Sequence, residues 1–263
     1  MSRETAHAYR TALVTGASSG IGASIARLLA AAGTDLVMVA RRAERLAEKA
    51  AQLRGEHKID VETLQADLTK PDELAAVEAR LADPARPVEL LVNNAGAGAA
   101  GEFERLSVDS AESLIRLNVL ALVRLTHAGL PGMLARRHGG ILNVSSMAGF
   151  APSPRVSTYA ATKAFVTLFS ESLHVEVRER GVHVTALCPG FTRSEFHTGR
   201  TDVSGLPRFA WLNSDEVARA GLAAVAAGRA LSVPGAQYKV AAQLTKIAPR
   251  VAVRAATARL RRL

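Results

Sequence analysis

Hydrophobic positions fall into short continuous runs separated by longer amphipathic stretches, and the two alternate along most of the chain. Apolar runs at 11–15, 36–40, 59–65, 90–93, 141–144 and 182–188, bounded by turn-forming residues, predict strands. Between them, apolar residues recur at the spacing of one helix face at 21–32, 43–54, 71–82, 107–133, 157–180 and 214–229. A short run at 231–233 adds a seventh strand. A strand that is apolar along its whole length is covered on both faces, and a helix after each strand supplies the cover. The pattern predicts an α/β fold, with one doubly wound domain built on a central parallel sheet of about seven strands flanked by helices. No repeat, low-complexity tract or Gly/Pro/Ser linker divides it, so the chain reads as a domain over 1–235 and an extension over 236–263.

In such a sheet, ligands gather outside the carboxyl ends of the strands. The first strand runs straight into T-G-A-S-S-G-I-G, Thr15 to Gly22. Gly16, Gly20 and Gly22 allow a tight turn and close backbone approach to a pyrophosphate at the N-terminus of the next helix. Ser18, Ser19 and Ile21 join them as cofactor contacts. The spacing is G-x-x-x-G-x-G rather than G-x-G-x-x-G, but its place between first strand and first helix marks a Rossmann-type nucleotide site. The second strand ends in Arg41-Arg42, where an acidic residue would hold the ribose 2′-hydroxyl of NAD. A basic pair, assisted by Ser18, suits the 2′-phosphate, so NADP(H) is preferred over NAD(H), with Glu44 close enough to blunt the charge. Asp67 and Leu68, in A-D-L-T after the third strand, are placed for the adenine, while Thr69 is the expected cap of the 71–82 helix. Asn94, Ala95 and Gly96 follow the fourth strand and let the cofactor approach.

The fifth strand leads into Ser145 and Ser146, a Pro/Ser loop, and a helix carrying Tyr159 and Lys163. Four residues on a helix is about one turn, roughly 6 Å, so the phenol and the ammonium share a face. Ser146 can be brought beside them by the loop, and the three groups form a proton-transfer device. Y-x-x-x-K alone is a common helical spacing; its place at a strand end behind a glycine-rich turn gives it weight. Bringing a phenol from its ordinary value near 10 to near 7 takes about 4 kcal/mol, which Lys163 and a cationic cofactor ring would supply together. Asn118 falls inside a long helix, where asparagine is mildly unfavourable and needs a structural partner or a water to hold.

Composition narrows the setting. Hydrophobic residues make up 48% of the 263, enough for a sizeable core. The single cysteine, Cys188, excludes an intramolecular disulfide and reads as a buried structural thiol in a reducing compartment. The N-terminal MSRETAHAYR has no apolar signal core and no run of 18 apolar residues occurs, so a cytoplasmic protein is expected. The seven histidines are scattered without ligand spacing, and no metal is expected. The net charge of +9 lies entirely after Glu216, where nine Lys/Arg stand with no Asp or Glu and the rest of the chain balances. A neutral body without a recognition motif argues against nucleic acid.

These motifs together resemble the short-chain dehydrogenase/reductase family. The matching segments are T-G-A-S-S-G-I-G at Thr15, A-D-L-T at Ala66, N-N-A-G at Asn93, Asn118, Ser146, Y-A-A-T-K at Tyr159 and C-P-G-F-T at Cys188. They cover about residues 10 to 235, in the family's order and spacing. The resemblance implies NAD(P)-dependent hydride transfer between an alcohol and a ketone. It implies Tyr159 as general acid/base and Lys163 as the group that lowers its pKa and holds the nicotinamide ribose. Ser146 would orient the carbonyl, Asn118 would hold a proton-relay water, and Pro189, Gly190 and Thr192 would embrace the nicotinamide. Ser145 reads as structural. A catalytically silent nucleotide-sensing regulator on the same fold is the alternative, though it would have no need of the full set.

The family leaves the substrate open. Phe191, Phe196, Leu206, Pro207, Phe209, Trp211 and Leu212 follow Gly190, so the only Trp and three of the seven Phe crowd one short stretch. An aromatic lid, with Phe191, Phe196 and Trp211 beside Ser146 and Tyr159, suits an apolar or bulky ketone: acyl, steroid-like or aromatic. A homodimer or homotetramer is expected. In the extension, Tyr238, Val240, Leu244 and Ile247 are expected to share a helical face, Pro249 interrupts, and an Ala/Arg-rich second helix follows. With Lys246, Arg250, Arg254, Arg259, Arg261 and Arg262, that segment offers a peripheral contact to an anionic membrane or an acidic carrier.

Overall fold

Seven strands, β1 (Thr11–Thr15), β2 (Asp35–Ala40), β3 (Val61–Gln65), β4 (Leu90–Asn93), β5 (Gly139–Val144), β6 (Val182–Leu187) and β7 (Leu231–Ser232), pair in the order β3-β2-β1-β4-β5-β6-β7. Every pairing is parallel. This computed structural model describes residues 9–193 and 207–260. The chain steps outward from β1 to β3, returns to lay β4 against β1, and steps outward again to β7. Connections therefore leave β1 and β4 in opposite directions and open a crevice at their carboxyl ends.

The helices cover both faces, as the uninterrupted apolar strands require. Helices α1 (Gly20–Ala31), α2 (Ala43–His57) and α7 (Ser214–Ala226) pack Ile25, Leu29, Leu46, Leu53 and Val217 onto one face through a continuous buried cluster. A second cluster fills the other face, with Leu74 and Val77 from α3 (Pro71–Ala82), Leu125 and Met133 from α5 (Leu122–Arg136), and Leu173 and Val177 from α6 (Ser157–Val177). Burying each such side chain contributes roughly 1.5–3 kcal/mol.

The predicted helix over 107–133 is a composite. It comprises α4 (Val108–Ile115), a π-helical turn (Arg116–Ala121) and α5. Asn118 is the reason: its Oδ1 accepts from Ala97 N–H at 2.9 Å and its Nδ2 donates to Ala97 O at 2.9 Å and Thr162 Oγ1 at 3.1 Å. The amide is drawn toward the loop after β4, and the backbone widens by one residue to allow it. The run over 108–136 is long and apolar enough to cross a membrane by length and composition. It is a core helix instead, with Leu114, Asn118, Leu122, Leu125, Gly129 and Met133 buried.

Beyond β7, α8 (Ala236–Ile247) and α9 (Arg250–Leu260) meet at Ala248-Pro249, where Ala248 is extended. The expected shared face does not form. Tyr238 lies on the side of α8 that turns inward with the buried Ala242, whereas Val240, Leu244 and Ile247 point away and are 60%, 55% and 77% exposed. A hundred degrees per residue separates Tyr238 from those three by most of half a turn.

Candidate active site

The glycine-rich turn sits at the crevice. Gly16 and Gly20 have positive φ of 65° and 55°, which non-glycine residues adopt only at a cost. Gly22 is needed for a different reason: a Cβ there would stand 2.3 Å from both Gly16 O and Asn94 Nδ2. Helix α1 can thus begin directly against the turn. Its N-terminus carries no side-chain cap and no acidic residue in the first turn, although Ser19 occupies the N-cap position. Uncapped N–H groups at the positive end of a helix dipole fit a pyrophosphate. Among the flanking residues, Ser18 is buried, and Ile21 packs partly against the core.

Asn94 also ties two loops of the site together. Its Nδ2 donates to Thr15 O at 2.9 Å and Gly16 O at 3.3 Å, tying the loop after β4 to the glycine turn. Thr15 returns the tie: its Oγ1 accepts from Asn94 N–H at 3.0 Å and Ala95 N–H at 2.9 Å and donates to Val92 O. Sequence reasoning took Thr15 only as the start of the motif. Gly96 lies between two of the catalytic candidates, where a Cβ would come within 3.3 Å of Asn118 Oδ1 and 3.5 Å of Lys163 Nζ.

At the end of β2, Arg41 and Arg42 are exposed, and Arg41 faces Asp67 closely enough to help hold its carboxyl below the ordinary value. Burial, the largest single influence, pushes that carboxyl the other way, and the hydrogen bonds from Thr69 with the charges of Arg41 and Lys70 together outweigh it. Asp67 Oδ1 accepts from Thr69 N–H at 3.0 Å and Thr69 Oγ1 at 2.8 Å. Thr69 is therefore engaged in an Asx turn and does not cap α3, whose N-cap is Lys70 without a side-chain cap bond. Leu68 is buried in the core cluster beneath, so only its backbone is available to an adenine.

The second half of the site is built where β5 meets α6. Ser146 caps the 3-10 helix Met147–Phe150, its Oγ accepting from Ala148 N–H at 3.1 Å, and it also shares a hydrogen bond with Tyr159. Lys163 is buried, donates from Nζ to Val144 O at 2.8 Å and stands 5.8 Å from the centroid of the Tyr159 ring. Ser145 is turned the other way, bonded to Lys163 O and Thr167 Oγ1, each at 2.7 Å. Its structural reading agrees with that placement. The same holds for Cys188, buried against Thr167 Oγ1 at 3.6 Å, its thiol pushed up to about 11 mainly by burial.

Two features of this geometry bear on the expected roles. Burial raises the Tyr159 phenol to about 12, and the Ser146 hydrogen bond opposes this only in part. Lys163 alone does not bring it toward 7. Burial lowers the lysine itself to about 8, with the Cys188 thiol opposing that shift. Asn118 has both N–H donors and one lone pair committed to Ala97 and Thr162. A relay water would have to use its remaining lone pair or a carbonyl opened by the π turn.

The third wall comes from the segment after β6. Pro189 is buried and its carbonyl accepts from Met147 N–H at 3.0 Å, next to Ser146. Thr192 is buried, with its hydroxyl donating to Gly190 O at 3.0 Å. Phe191 and Trp211 lie 5.9 Å apart at a 54° tilt, and Thr192 and Leu212 form a parallel bridge. Phe196 and Leu206 lie outside the described residues. Sequence reasoning also passed over Thr162, whose signal was only its place in Y-A-A-T-K.

The sequence model described as short chain dehydrogenase matches residues 10–203. An uncharacterized oxidoreductase of Myxococcus xanthus is 36% identical over 96% of this chain and 98% of its own length. A short-chain dehydrogenase from Sphingobium yanoikuyae in complex with NADPH is 41% identical, with a TM-score of 0.82 over 90% of this chain and 93% of that one. A bulky-bulky ketone specific alcohol dehydrogenase from Comamonas testosteroni is 35% identical, with a TM-score of 0.78 over 92% and 95%. With that match spanning most of the sheet and the Ser146, Tyr159 and Lys163 groups gathered at the carboxyl end of β5, the chain belongs to the short-chain dehydrogenase family, oxidoreductases acting between CH–OH and C=O groups.

Proposed function

We propose that the protein is an NADPH-dependent reductase of apolar or bulky ketones. The observation that carries this is the neutral Tyr159 phenol, hydrogen-bonded to Ser146 at the end of β5, with the segment that carries Phe191 joined to the same turn through Pro189 O and Met147 N–H. A phenol held near 12 is an acid throughout the neutral range, which suits proton delivery to a forming alkoxide better than proton removal from an alcohol. The uncapped start of α1 would hold the pyrophosphate, Arg41 and Arg42 the 2′-phosphate, Asp67 the adenine, and Lys163 with Pro189, Gly190 and Thr192 the nicotinamide end. When bound, NADPH would supply hydride to the carbonyl carbon. Ser146 would hydrogen-bond the carbonyl oxygen, Tyr159 would protonate it, and Lys163 would steady the charge left behind. The NADPH complex of the Sphingobium relative and the ketone range named for the Comamonas relative support both halves of the reading. NADPH oxidation with ketones graded in bulk on both sides of the carbonyl tests it. Turnover rising with bulk is expected, and no turnover on any ketone overturns it.

Two surfaces bear on partners. Exposed Ile115 on α4 and Leu168 and Val175 on α6 offer an apolar face to a second copy, so a homodimer or homotetramer is proposed, testable by light scattering. Val240, Leu244 and Ile247 of α8 and the 68% exposed Val251 of α9 are apolar and exposed on helices that also carry Lys239, Arg250 and Arg254, with no acid after Glu216. The side chains of Lys246 and Arg259, and Arg261 and Arg262 entirely, lie outside the described residues. Apolar side chains rimmed by cations fit an anionic bilayer. Vesicles of rising anionic-lipid content should pellet the full chain more than a chain ending at Pro249; equal negligible pelleting at low salt excludes the contact.

A further inference from the structure

We propose that Tyr238, from the C-terminal extension, is a positioning residue that sets the shape of the substrate pocket. It lies beyond the region matched by the family model, which ends at residue 203. Its hydroxyl is bound on both sides: it accepts from Phe191 N–H at 3.1 Å and donates to Ala210 O at 2.6 Å. The ring lies flat beneath Gly190, so close that a Cβ there would fall 2.0 Å from Cζ. One side chain thus fixes Gly190, Phe191 and Ala210, the residue preceding Trp211. Burial raises the phenol above its ordinary value, and it remains a neutral donor to Ala210.

The surrounding bonds give the tie its leverage. Leu212 N–H donates to Phe191 O at 2.8 Å, and Arg193 N–H donates to Leu212 O at 3.0 Å, joining the two segments that flank residues 194–206. Gln237 Nε2 adds a bond to Phe209 O at 2.9 Å. The Pro189 carbonyl continues the chain of contacts to Met147 and so to Ser146. Helix α8 is anchored against that same 3-10 turn. Displacing Tyr238 would shift Phe191 relative to Trp211 while leaving the Tyr159–Lys163 helix untouched. Discrimination between ketones would then change more than proton transfer.

This inference rests on the proposed reductase activity, and its test separates the two. Trp211 is the only tryptophan in the chain, so its fluorescence reports the tie without any substrate. Tyr238→Phe keeps the ring and removes both hydroxyl bonds. It should leave the melting temperature nearly unchanged, red-shift Trp211 emission and increase its quenching by acrylamide. KM for the bulkiest accepted ketone should rise about three- to tenfold, with kcat and NADPH affinity little altered and small ketones less affected. Tyr238→Leu, which also removes the ring beneath Gly190, should enlarge the KM effect, and Phe should restore the part due to packing. Unchanged Trp211 emission in Tyr238→Phe overturns the inference whether or not a ketone is ever turned over. So does a uniform loss on all ketones in step with a lower melting temperature. If wild-type protein reduces no ketone while Trp211 responds as expected, the reductase reading fails and the tie stands.

Discussion

Replacing Lys163 by Met should leave stability at pH 7 nearly unchanged and make the protein much less stable than wild type at pH 10. Lys163 is buried, with its pKa lowered from 10.5 to about 8. Between those values the unfolded chain binds the proton and the folded chain does not, so rising pH favours the folded state through this residue. Below pH 8 the native protein carries the full cost of the buried ammonium, about 3 kcal/mol for a shift of that size. Methionine removes the cost but strands Val144 O, which now accepts from Nζ at 2.8 Å; an unsatisfied buried carbonyl costs about 1–3 kcal/mol. At pH 7 the two terms offset. By pH 10 wild type has shed its penalty and should exceed the variant by about 2–3 kcal/mol. Tyr159 and Cys188, raised to about 12 and 11, act oppositely above pH 9 because the unfolded chain ionises first. Both proteins share Tyr159, and Cys188 interacts with Lys163, so the difference between two urea-melt series reports Lys163 together with its coupling to that thiol. A difference constant from pH 7 to 10 would refute the burial argument. The same variant should lose turnover and NADPH affinity together.

Arg41→Asp should weaken NADPH by about one to two decades, the worth of a charge-assisted phosphate contact, and relatively favour NADH. Titration by nicotinamide fluorescence checks it, and a wild-type preference for NADH would sink the assignment. Gly22→Ala forces a Cβ to within 2.3 Å of the Gly16 carbonyl. That overpacking should cost about 1–3 kcal/mol in a urea melt and abolish tight NADPH binding, because α1 must move off the turn.

The sheet was legible because each strand is apolar throughout. The runs at 11–15 and 90–93 match β1 and β4 residue for residue, and Gly and Asn mark their ends. The break at Arg116–Ala121 was not, since helical periodicity carries no sign of one extra residue per turn; the misplaced Asn118 was the only hint. Tyr159, Lys163 and Ser146 were readable from spacing, whereas their protonation depends on burial, which spacing does not encode. Burial raises the phenol to about 12, against the pull expected of Lys163 and a cationic cofactor ring together. Tyr238 was assigned to the wrong face because Tyr, Val, Leu and Ile look alike to an apolar count. Helical spacing already separates Tyr238 from the other three, and its hydroxyl partners, Phe191 and Ala210, distant in sequence, fix its side inward.

Tyr159→Phe tests the central claim most directly. The substitution removes the acid and leaves the ring beside Lys163, so NADPH affinity should stay within about threefold of wild type. Turnover of the best ketone should fall roughly 10²- to 10⁴-fold, the usual contribution of a positioned general acid. Single-turnover NADPH oxidation within tenfold of wild type would contradict the assignment of Tyr159 as the proton donor.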